Sequence, residues 1–260
     1  MSEMTKSHYM MMEGVEGLHS FIHLDAIDST NNYLRRLLDQ GERFEGVTLV
    51  VADSQTVGRG QQGNSWESES GKNLTFSILC HPLFLKASEQ YLVSQMIALS
   101  VQETLSLYIE GVTIKWPNDI YWYDKKISGT LIECDLKGKS ISHCIVGTGI
   151  NVNQERFLSD APNPISLRLV TGAEYNLGKL LCEVTRRFLS YFHVAEGEAE
   201  DIRQRYKQRL YRHEGFHPYE DAYGRFLAKF MDVENSGRLL LMDTENKVRR
   251  YEFKELKFII

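Results

Sequence analysis

The stretch KKISGTLIECDLKGKSISHCIVGTGINV, residues 125–152, contains two apolar runs separated by a Lys-Gly-Lys tripeptide at 137–139. Both runs are rich in β-branched residues, and a short glycine-containing connection between two such runs is typical of a β-hairpin. The stretch therefore predicts that segments 125–135 and 142–152 pair as antiparallel strands. Because neighbouring strand residues face opposite sides, Lys126 is expected at the lip of the buried strand and Lys125 in solvent.

The sequence on either side of this hairpin predicts further strands and helices. Continuous apolar runs indicate strands, and apolar residues that recur every three or four positions indicate helices. The predicted strands are FIHLDAI (21–27), VTLVVAD (47–53), NLTFSILC (73–80) and VTIKW (112–116). The predicted helices begin at Ser29 or Thr30 and stop at Gly41, run from 88 to 109, and cover 177–188 and 202–210. Residues 1–20 are expected to form a loose lead-in.

The pattern changes after about residue 211. Turn-forming residues join three short apolar runs, which are RFLAKFMDVE (225–234), RLLLMDTE (238–245) and VRRYEFKEL (248–256). Short runs with such turns predict a small C-terminal SH3-like β-barrel. The chain is thus expected to be an α+β protein with two domains. Residues 1–211 would hold a mixed β-sheet flanked by helices, and residues 212–260 the barrel.

Composition limits the classes of protein to which the chain can belong. Its 260 residues include 30 Lys and Arg and 35 Asp and Glu, a formal net charge of −5. Nucleic-acid binders usually show a basic excess, because contacts with phosphates supply much of their affinity, so no DNA partner is expected. No apolar run approaches the ~18 residues of a membrane span, and no signal peptide is evident. A cytoplasmic protein without a membrane partner is therefore expected.

The four cysteines are widely spaced and form no Cys-X-X-Cys pair; they are Cys80, Cys134, Cys144 and Cys182. Isolated cysteines inside apolar strands and helices of a cytosolic protein are typically reduced and buried. We therefore expect free thiols and no zinc site. His81 and His143 lie in apolar strands without a second ligand at metal-binding spacing, so no metal site is expected from them.

The hexapeptide Gly58-Arg59-Gly60-Gln61-Gln62-Gly63 matches the pattern G-X-G-X-X-G and follows a strand. A dinucleotide-binding fold would need a helix that opens at the last glycine. The residues that follow have no helical periodicity, so a Rossmann oxidoreductase is disfavoured. The glycines instead let the backbone present N–H groups to an anion, and Arg59 adds a fixed cation. Trp66 adds an aromatic ring on which a purine can stack.

Polar residues also cluster where the predicted strands end. Lys115-Trp116-Pro117-Asn118-Asp119 follows an apolar strand, and this segment fits a phosphate- and sugar-binding loop as well as a simple turn. Lys126 beside Gly129 is suited to neutralising a substrate carboxylate. Glu133, inside the same strand, is expected to be a buried pairing acid. The glycine-rich strand end at 147–151 is suited to bringing Asn151 to a nucleotide.

Together these segments resemble the catalytic core of bacterial biotin–protein ligases. The matching stretches are Asp28-Ser29-Thr30-Asn31, Gln55 with Gly58-Arg59-Gly60 and Trp66, Lys115-Trp116-Pro117-Asn118-Asp119, Lys126 with Gly129, and Gly149-Ile150-Asn151. They fall in the family's order and spacing across most of residues 21–170. Pro164-Ile165-Ser166-Leu167 resembles the family's Thr-Ser-Leu segment, and the tail resembles its small C-terminal barrel.

This resemblance implies the fold of biotin and lipoate ligases, which is a class II synthetase-like core. It implies activation of biotin with ATP and Mg²⁺ to biotinyl-5'-AMP, and transfer of biotin to a lysine of a biotin carboxyl carrier protein. The implied catalytic residues are Lys126 and Arg59, and no protein-bound metal is expected. The residues implied for biotin are Ser29, Thr30, Asn31, Gln55, Gly58, Arg59, Gly60, Gln61, Lys126 and Gly129. Those implied for ATP and the adenylate are Arg59, Trp66, Lys115, Asn118 and Asn151.

Two departures from the family refine these expectations. Repressor-type relatives place a winged helix-turn-helix before the core, whereas Ser29 lies close to the start of this chain, which predicts a ligase that does not bind DNA. Gln61 stands where many relatives have an arginine, which predicts weaker retention of the adenylate or its retention by other groups. Two alternatives stay open, a lipoate–protein ligase with the same core and a biotin-binding sensor without activity. Assembly as a homodimer is also left open.

Overall fold

The computed structural model describes Tyr9, Met12, residues 14–159 and residues 161–260. The helices of the described chain are α1 (Thr30–Asp39), α2 (Tyr91–Leu105), α3 (Leu167–Thr171) and α4 (Leu177–Gln208). Its first seven strands are β1 (Leu18–Ile27), β2 (Val47–Gln55), β3 (Leu74–Cys80), β4 (Val112–Lys115), β5 (Asp119–Trp122), β6 (Lys125–Lys137) and β7 (Ser140–Ile150). The last five are β8 (His217–Asp221), β9 (Gly224–Val233), β10 (Leu239–Asp243), β11 (Val248–Tyr251) and β12 (Lys257–Phe258).

The first seven strands form one mixed sheet in the order β1-β2-β3-β7-β6-β5-β4. Strands β1 and β2 are parallel, and every other neighbouring pair is antiparallel. The mixed sheet with helices that the sequence predicts is therefore confirmed. Strand β5 was not predicted, because its four residues follow Pro117 in a segment that also fits a turn.

Helices cover both faces of this sheet, which explains why its central strands are apolar at consecutive positions. On one face, Leu34 of α1 packs with Val50, Leu79 and Ile145. On the other face, residues adjacent in sequence to these strand residues, such as Leu49 of β2, belong to the large core under α2 and α4. Full burial of side chains of this size stabilises the fold by roughly 1.5–3 kcal/mol each.

Two helices differ from their predicted limits. Helix α2 begins at Tyr91, after a 3₁₀ turn at Ala87–Glu89, and all its residues except Glu103 are buried between the sheet and α4. The region 177–208 is one long helix, although two helices were predicted. Its residue Glu198 departs from helical geometry, with φ −117° and ψ 24°, at the place where the two predicted helices are separated.

The predicted hairpin is present as β6 and β7, joined at Gly138 with φ +64°. A register shift between Asp135 and Leu136 places Cys134 directly opposite Cys144. These two cysteines form a disulfide, so the expectation of free thiols is wrong for this pair. If the pairing of Lys137 with Ser140 continued along the hairpin without the register shift, Cys134 would lie opposite residue 143. The sequence therefore did not reveal the bond. Cys80 remains a buried free thiol, and burial raises its pKa to about 12.

The last five strands form a second, antiparallel sheet in the order β11-β10-β9-β8-β12. The three predicted runs correspond to β9, β10 and β11. Two further strands were not predicted, β8 before them in the sequence and β12 after them. Pairing between the edge strands β11 and β12 is not observed among the described residues.

Near the other end of the chain, Tyr9, Met12 and Val15 are buried in the main core, so the described part of 1–20 is packed rather than loose. The structure shows no helix, over the residues it describes, with the length and apolar character for crossing a membrane.

Candidate active site

A cavity of about 280 Å³ lies where several segments of the main sheet meet the C-terminal strands. Its walls come from the start of α1, the end of β2, the glycine loop, the β4–β5 turn, strands β6 and β7, and the last residues of the chain. Its volume is close to the lower end of the range typical of small-molecule sites. The cavity is therefore the candidate ligand site of this chain.

Most residues that the sequence analysis singled out line this one cavity. They are Ser29, Thr30, Asn31, Gln55, Arg59, Gly60, Gln61, Trp66, Lys115, Asn118, Lys126 and Gly129. Two other singled-out residues, Gly58 and Asn151, do not line it. Residues as far as 100 positions apart in the sequence, Ser29 and Gly129, are thus brought to one place by the fold.

One end of the cavity is built from buried hydroxyls and amides. The Thr30 backbone N–H and hydroxyl both donate to Gln55 Oε1, at 2.8 and 3.1 Å. The Ser77 hydroxyl lies 2.7 Å from Thr30 Oγ1 and 2.6 Å from Asn31 Oδ1. Asn31 Nδ2 donates to Glu133 Oε2 at 2.9 Å. This end is a fixed polar network that can recognise a neutral hydrogen-bonding ligand.

Ser29 adds a hydroxyl at the same end. It occupies the N-cap position of α1, with extended φ and ψ, but its side chain makes no capping hydrogen bond to the helix. Since Ser29 is buried and lines the cavity, its hydroxyl remains available to a ligand. The predicted position of the helix start is confirmed.

Three cations that were expected to converge, Arg59, Lys115 and Lys126, line the same cavity. Arg59 donates to Asn32 Oδ1 at 2.7 Å and to Glu133 Oε1 at 3.3 Å. Glu133 is half-buried rather than buried, but it is the pairing acid that the sequence predicts. Because Glu133 accepts from both Asn31 and Arg59, it couples the polar network to the cations.

Lys126 lies beside a carboxylate and an aromatic ring. Its Nζ is 2.7 Å from Asp119 Oδ1 and 5.8 Å from the centre of the Trp66 ring. Asp119 pairs with Gly129 across β5 and β6. A Cβ on Gly129 would come within 3.0 Å of Lys126 Cε, so the glycine leaves the room that Lys126 occupies. Lys125 is exposed, as predicted.

Lys115 is the most buried of these cations. Its Nζ lies 5.0 Å from the Tyr121 ring and 4.7 Å from the Phe258 ring. Burial lowers the pKa of Lys115, the nearby Asp119 partly offsets this, and the cations Lys126 and Arg212 lower it further. A lysine in this setting is stabilised when an anion enters the cavity beside it.

The glycines of β7 form the floor of the cavity. A Cβ on Gly147 would lie 2.2 Å from Asn31 Oδ1, and a Cβ on Gly149 would lie 2.2 Å from Trp66 Cε2. Strand β7 is regular as far as Ile150, so these glycines do not interrupt the strand. They make room for a side chain of α1 and for the Trp66 ring.

Asn151 follows directly after the last residue of β7. Its backbone N–H donates to Ile127 O at 2.9 Å, and its Nδ2 donates to Ile165 O at 3.0 Å. These bonds hold the segment before α3 against the sheet. Asn151 is buried and does not line the cavity, so the structure gives it a scaffolding position. Its assignment to the adenylate remains a prediction.

The glycine loop folds back on itself. Gly60 N donates to Asn64 O at 2.7 Å, and Trp66 N donates to Gly58 O at 2.9 Å. A Cβ on Gly58 would lie 2.3 Å from Trp66 O, so this glycine serves the close approach of two backbones instead of lining the cavity. The last three residues of the motif, Gln61–Gly63, form a short 3₁₀ turn, and residues 64–73 after it form no helix, so the loop does not open a Rossmann helix.

Sequence reasoning missed several lining or supporting residues. Ser77 sits in an apolar strand, where its hydroxyl gives no distinguishing signal. Lys254, Leu256 and Phe258 line the cavity from the C-terminal segment. Asp119 is the last residue of the 115–119 segment that the sequence analysis singled out. Its position next to Asn118 was the signal that could have placed it in the site. Among the described residues, the group of three side chains able to hold a metal ion is His23, Asp25 and Asp53, which is not part of the cavity lining.

The mixed sheet and the cavity define an α+β small-molecule-binding protein whose site joins a polar amide end to a cationic end. A family model for the biotin/lipoate A/B protein ligase family matches residues 24–151. Residues 24–151, just under half of the chain, are therefore similar to that family.

Individual relatives agree with this family. The chain is 35% identical over 141 residues to the bifunctional ligase/repressor BirA of Salmonella typhimurium, covering 54% of this chain and 43% of BirA. It is 30% identical over 130 residues to biotin–[acetyl-CoA-carboxylase] ligase of Paracoccus denitrificans, covering 48% of this chain and 51% of that protein. The chain thus matches about half or less of the length of these relatives.

Solved structures show the same fold. The biotin protein ligase from Aquifex aeolicus, in complex with biotin and ATP, superposes with a TM-score of 0.73 and 25% identity. The superposition covers 94% of this chain and 100% of the Aquifex chain. The similarity therefore extends beyond residues 24–151 and includes most of the C-terminal sheet.

Proposed function

We propose that this chain is a biotin–protein ligase. It would activate biotin with ATP to form biotinyl-5'-AMP and transfer the biotinyl group to a lysine of a biotin carboxyl carrier protein. The observation that carries this proposal is the convergence of Arg59, Lys115 and Lys126 on one cavity that also holds the Thr30–Gln55–Asn31 network. The similarity to the Aquifex protein, whose structure contains biotin and ATP, supports this choice of substrates.

Biotin would lie at the amide end of the cavity. Its ring system carries a neutral urea group, which needs both donors and acceptors, and the hydroxyls and amides of Ser29, Thr30, Asn31 and Gln55 supply both. The backbone at Gly60, with the Gln61 side chain, would close this end, and Gly58 would act indirectly by letting the loop fold back against Trp66. The carboxylate of biotin would then point towards Arg59 and Lys126, beside Gly129.

In the first step, a carboxylate oxygen of biotin attacks the α-phosphorus of ATP, and pyrophosphate leaves. Carboxylate and triphosphate repel each other, so fixed cations are needed to bring them together. Lys126 would contact the carboxylate and the acyl phosphate that forms, and Arg59 would contact the phosphate. Both side chains are already held by carboxylates, which keeps them in place before the ligands arrive.

The nucleotide would occupy the cationic end. Trp66 offers an aromatic face for adenine, Lys115 offers a charge for phosphate, and Asn118 offers an amide at the β4–β5 turn. Asn151 would act on the adenylate through the segment that it anchors, because it does not reach the cavity. Gln61, which is neutral, adds a hydrogen-bonding side chain without a charge.

Mg²⁺ would enter with the nucleotide. The cavity lining includes a carboxylate, Asp119, and an amide, Asn118, and oxygen donors of this kind suit Mg²⁺ when phosphates and water complete its shell. The bound ion would neutralise part of the phosphate charge. The residues present therefore fit an ion that is shared with the substrate.

In the second step, the neutral amine of a carrier lysine attacks the acyl carbon, the nitrogen loses a proton, and AMP leaves. The mixed anhydride must be kept from water until the carrier arrives. The glycine loop, whose residues Arg59 to Trp66 form one wall of the cavity, is placed to cover it. We further propose that residues 1–211 form the catalytic domain and 212–260 a separate C-terminal domain.

Incubation with biotin, Mg-ATP and an isolated biotin carboxyl carrier domain, followed by intact-mass analysis, tests this function. The expected result is one added biotinyl group on the carrier, which disappears when the acceptor lysine is replaced by arginine. A lipoyl group added when lipoate replaces biotin, with no biotinyl transfer, would establish the lipoate ligase instead. Tight biotin binding without any transfer or adenylate formation would establish the sensor.

A further inference from the structure

Glu67 links the end of the glycine loop to a segment that lies at least 87 positions later in the chain. Its Oε1 accepts hydrogen bonds from the Leu158 backbone N–H at 2.8 Å and from Gln154 Nε2 at 3.1 Å. Its Oε2 accepts one from the Ser159 backbone N–H at 2.7 Å. One carboxylate thus gathers three N–H groups from residues 154–159, which we call the 154–159 segment.

These hydrogen bonds are made to a charged group. Burial raises the pKa of Glu67, but the hydrogen bonds from Ser159, Leu158 and Gln154 outweigh burial, so the pKa lies below its usual value of 4.5. The side chain is therefore ionised at neutral pH. Hydrogen bonds to an ionised acceptor are shorter and stronger than those between neutral groups. The link between the two segments is thus stronger than a contact between neutral side chains.

The 154–159 segment forms no helix or strand, so its backbone N–H groups need acceptors from elsewhere. Glu67 is the acceptor for two of them. At the start of the segment, Gln154 is only 1% exposed, and its Oε1 accepts from the Glu69 backbone N–H at 3.0 Å. The segment is thus fixed to the core at Gln154, and Glu67 attaches the loop to that fixed part.

Trp66, the residue before Glu67, lines the cavity with its ring over Gly149. The glycine loop keeps its shape through backbone hydrogen bonds between its own residues, but such bonds do not attach it to the sheet. Arg59 attaches the start of the loop to Glu133 of β6. Glu67 attaches its end. The position of the Trp66 ring over β7 therefore depends on the attachment that the next residue makes.

We propose that Glu67 is a positioning residue, which holds Trp66 over β7 before the nucleotide arrives and so prepares the surface on which adenine stacks. This inference rests on the proposed function, in which Trp66 receives the adenine. A ring that is held in place beforehand spares the ligand the entropic cost of ordering it. Glu67 itself touches neither ligand, because it does not line the cavity.

The test uses the full chain and three variants. Glu67→Ala removes the link, and Glu67→Gln keeps its size and one acceptor oxygen without the charge. Glu69→Ala is the matched control, because it removes an exposed carboxylate two residues away and keeps the backbone hydrogen bond to Gln154. The measurements are equilibrium binding of adenosine and of biotin, the KM for ATP in biotin-dependent ATP–pyrophosphate exchange, the Tm, and the rate of trypsin cleavage after Arg59 without ligands.

Glu67→Ala is expected to bind adenosine about fivefold more weakly and to raise the KM for ATP by a similar factor, because part of the stacking contact is lost. Biotin affinity should stay within about twofold. Trypsin cleavage should be about fivefold faster, because the loop opens locally more often. The Tm should change by less than about 2 °C, since the link is near the surface. Glu67→Gln should fall between Glu67→Ala and the wild type, and Glu69→Ala should match the wild type.

Adenosine affinity within twofold of the wild type in Glu67→Ala would overturn the inference. Equal losses of adenosine and biotin affinity would also overturn it, because they would indicate a general loosening of the cavity. The same holds if Glu69→Ala behaves like Glu67→Ala. If the wild type shows no biotin-dependent exchange, the proposed function fails, and adenosine binding with trypsin cleavage then still decides whether Glu67 positions Trp66.

Discussion

Lys125 and Lys126 are adjacent residues that the strand geometry of β6 turns to opposite sides. Lys125 is exposed, whereas Lys126 lines the cavity with its Nζ 2.7 Å from Asp119. This alternation follows from the sequence, because neighbouring strand residues always face opposite sides. The two lysines therefore provide a matched pair in which only one bears on the proposed chemistry.

Lys126→Ala is expected to lower biotin-dependent ATP–pyrophosphate exchange by about 100-fold or more, because it removes a cation placed where the charge of the reaction develops. The free energy of unfolding should fall by less than about 1 kcal/mol, since the ion pair with Asp119 is partly exposed. Lys125→Ala should leave both quantities unchanged. Exchange at wild-type rates in the Lys126 variant would remove this residue from the mechanism.

Lys115 is held at a cost to stability. Burial is the largest cause of its lowered pKa, so the folded protein binds the Lys115 proton less tightly than the unfolded chain does. Stability then rises with pH between the lowered folded pKa and the usual value of 10.5, and the destabilising contribution is fully present below both. Under the proposed function, this charge is the one that meets the nucleotide phosphate.

Lys115→Met should therefore raise the Tm at pH 7 and lower ATP affinity by about tenfold through the lost charged contact. The difference in Tm between variant and wild type should shrink as the pH approaches 10.5, because the wild type then loses the buried charge. Thermal unfolding at a series of pH values measures this. A difference in Tm that does not vary with pH would show that burial of the charge is not its cause.

Strand β7 provides the floor of the site through its glycines. Trp66 lies directly over Gly149, and its ring is positioned by the absence of a side chain there. The sequence indicated that these glycines matter but not what fills the space above them. That contact joins residues 83 positions apart, and no local pattern reports it.

Gly149→Ala should displace the Trp66 ring, because the added Cβ would lie 2.2 Å from Cε2. We expect an ATP KM raised by about tenfold, with a loss of stability of about 1–3 kcal/mol from overpacking. Gly197→Ala is the control, because nothing lies within 4 Å of a Cβ at that helical position. Unchanged ATP kinetics in the Gly149 variant would show that the Trp66 position does not serve the nucleotide.

The elements of the main sheet were largely predictable from the sequence, and their irregularities were not. Apolar runs and turn residues located β2, β3 and the β6–β7 hairpin to within two residues or so. The register shift at Asp135 and Leu136, and with it the Cys134–Cys144 disulfide, depends on how two strands pair, which a single sequence does not specify. The same holds for β5, which is too short to show a period.

At the scale of the whole molecule, the site depends on how the C-terminal sheet docks on the main domain. Trp116 Nε1 donates to Gly237 O at 2.8 Å, and a Cβ on Gly237 would lie 2.8 Å from the Tyr91 ring. This docking brings Phe258 to Lys115. The sequence predicted strands in the tail, but it placed no tail residue in the site, because such contacts arise only when the whole chain is folded.

Trp116→Phe should loosen this docking, because it keeps the ring packing against Phe253 and leaves the Gly237 carbonyl without its donor. We expect a loss of about 1–2 kcal/mol in the free energy of unfolding, faster trypsin cleavage within 212–260, and a raised ATP KM. Trp122→Phe is the control, because Trp122 makes no hydrogen bond to the C-terminal segment among the described residues. Equal protease sensitivity of wild type and Trp116→Phe would contradict this account of the interface.

The most direct test of the account is whether the purified chain catalyses exchange of labelled pyrophosphate into ATP only when biotin is present. Such exchange requires both anions to meet in one cavity and react reversibly, which is what the converging cations are proposed to achieve. The account predicts exchange with biotin and Mg-ATP that is absent without biotin and is not supported by lipoate. Exchange that proceeds equally without biotin, or no exchange at all in a folded protein that binds both ligands, would contradict it.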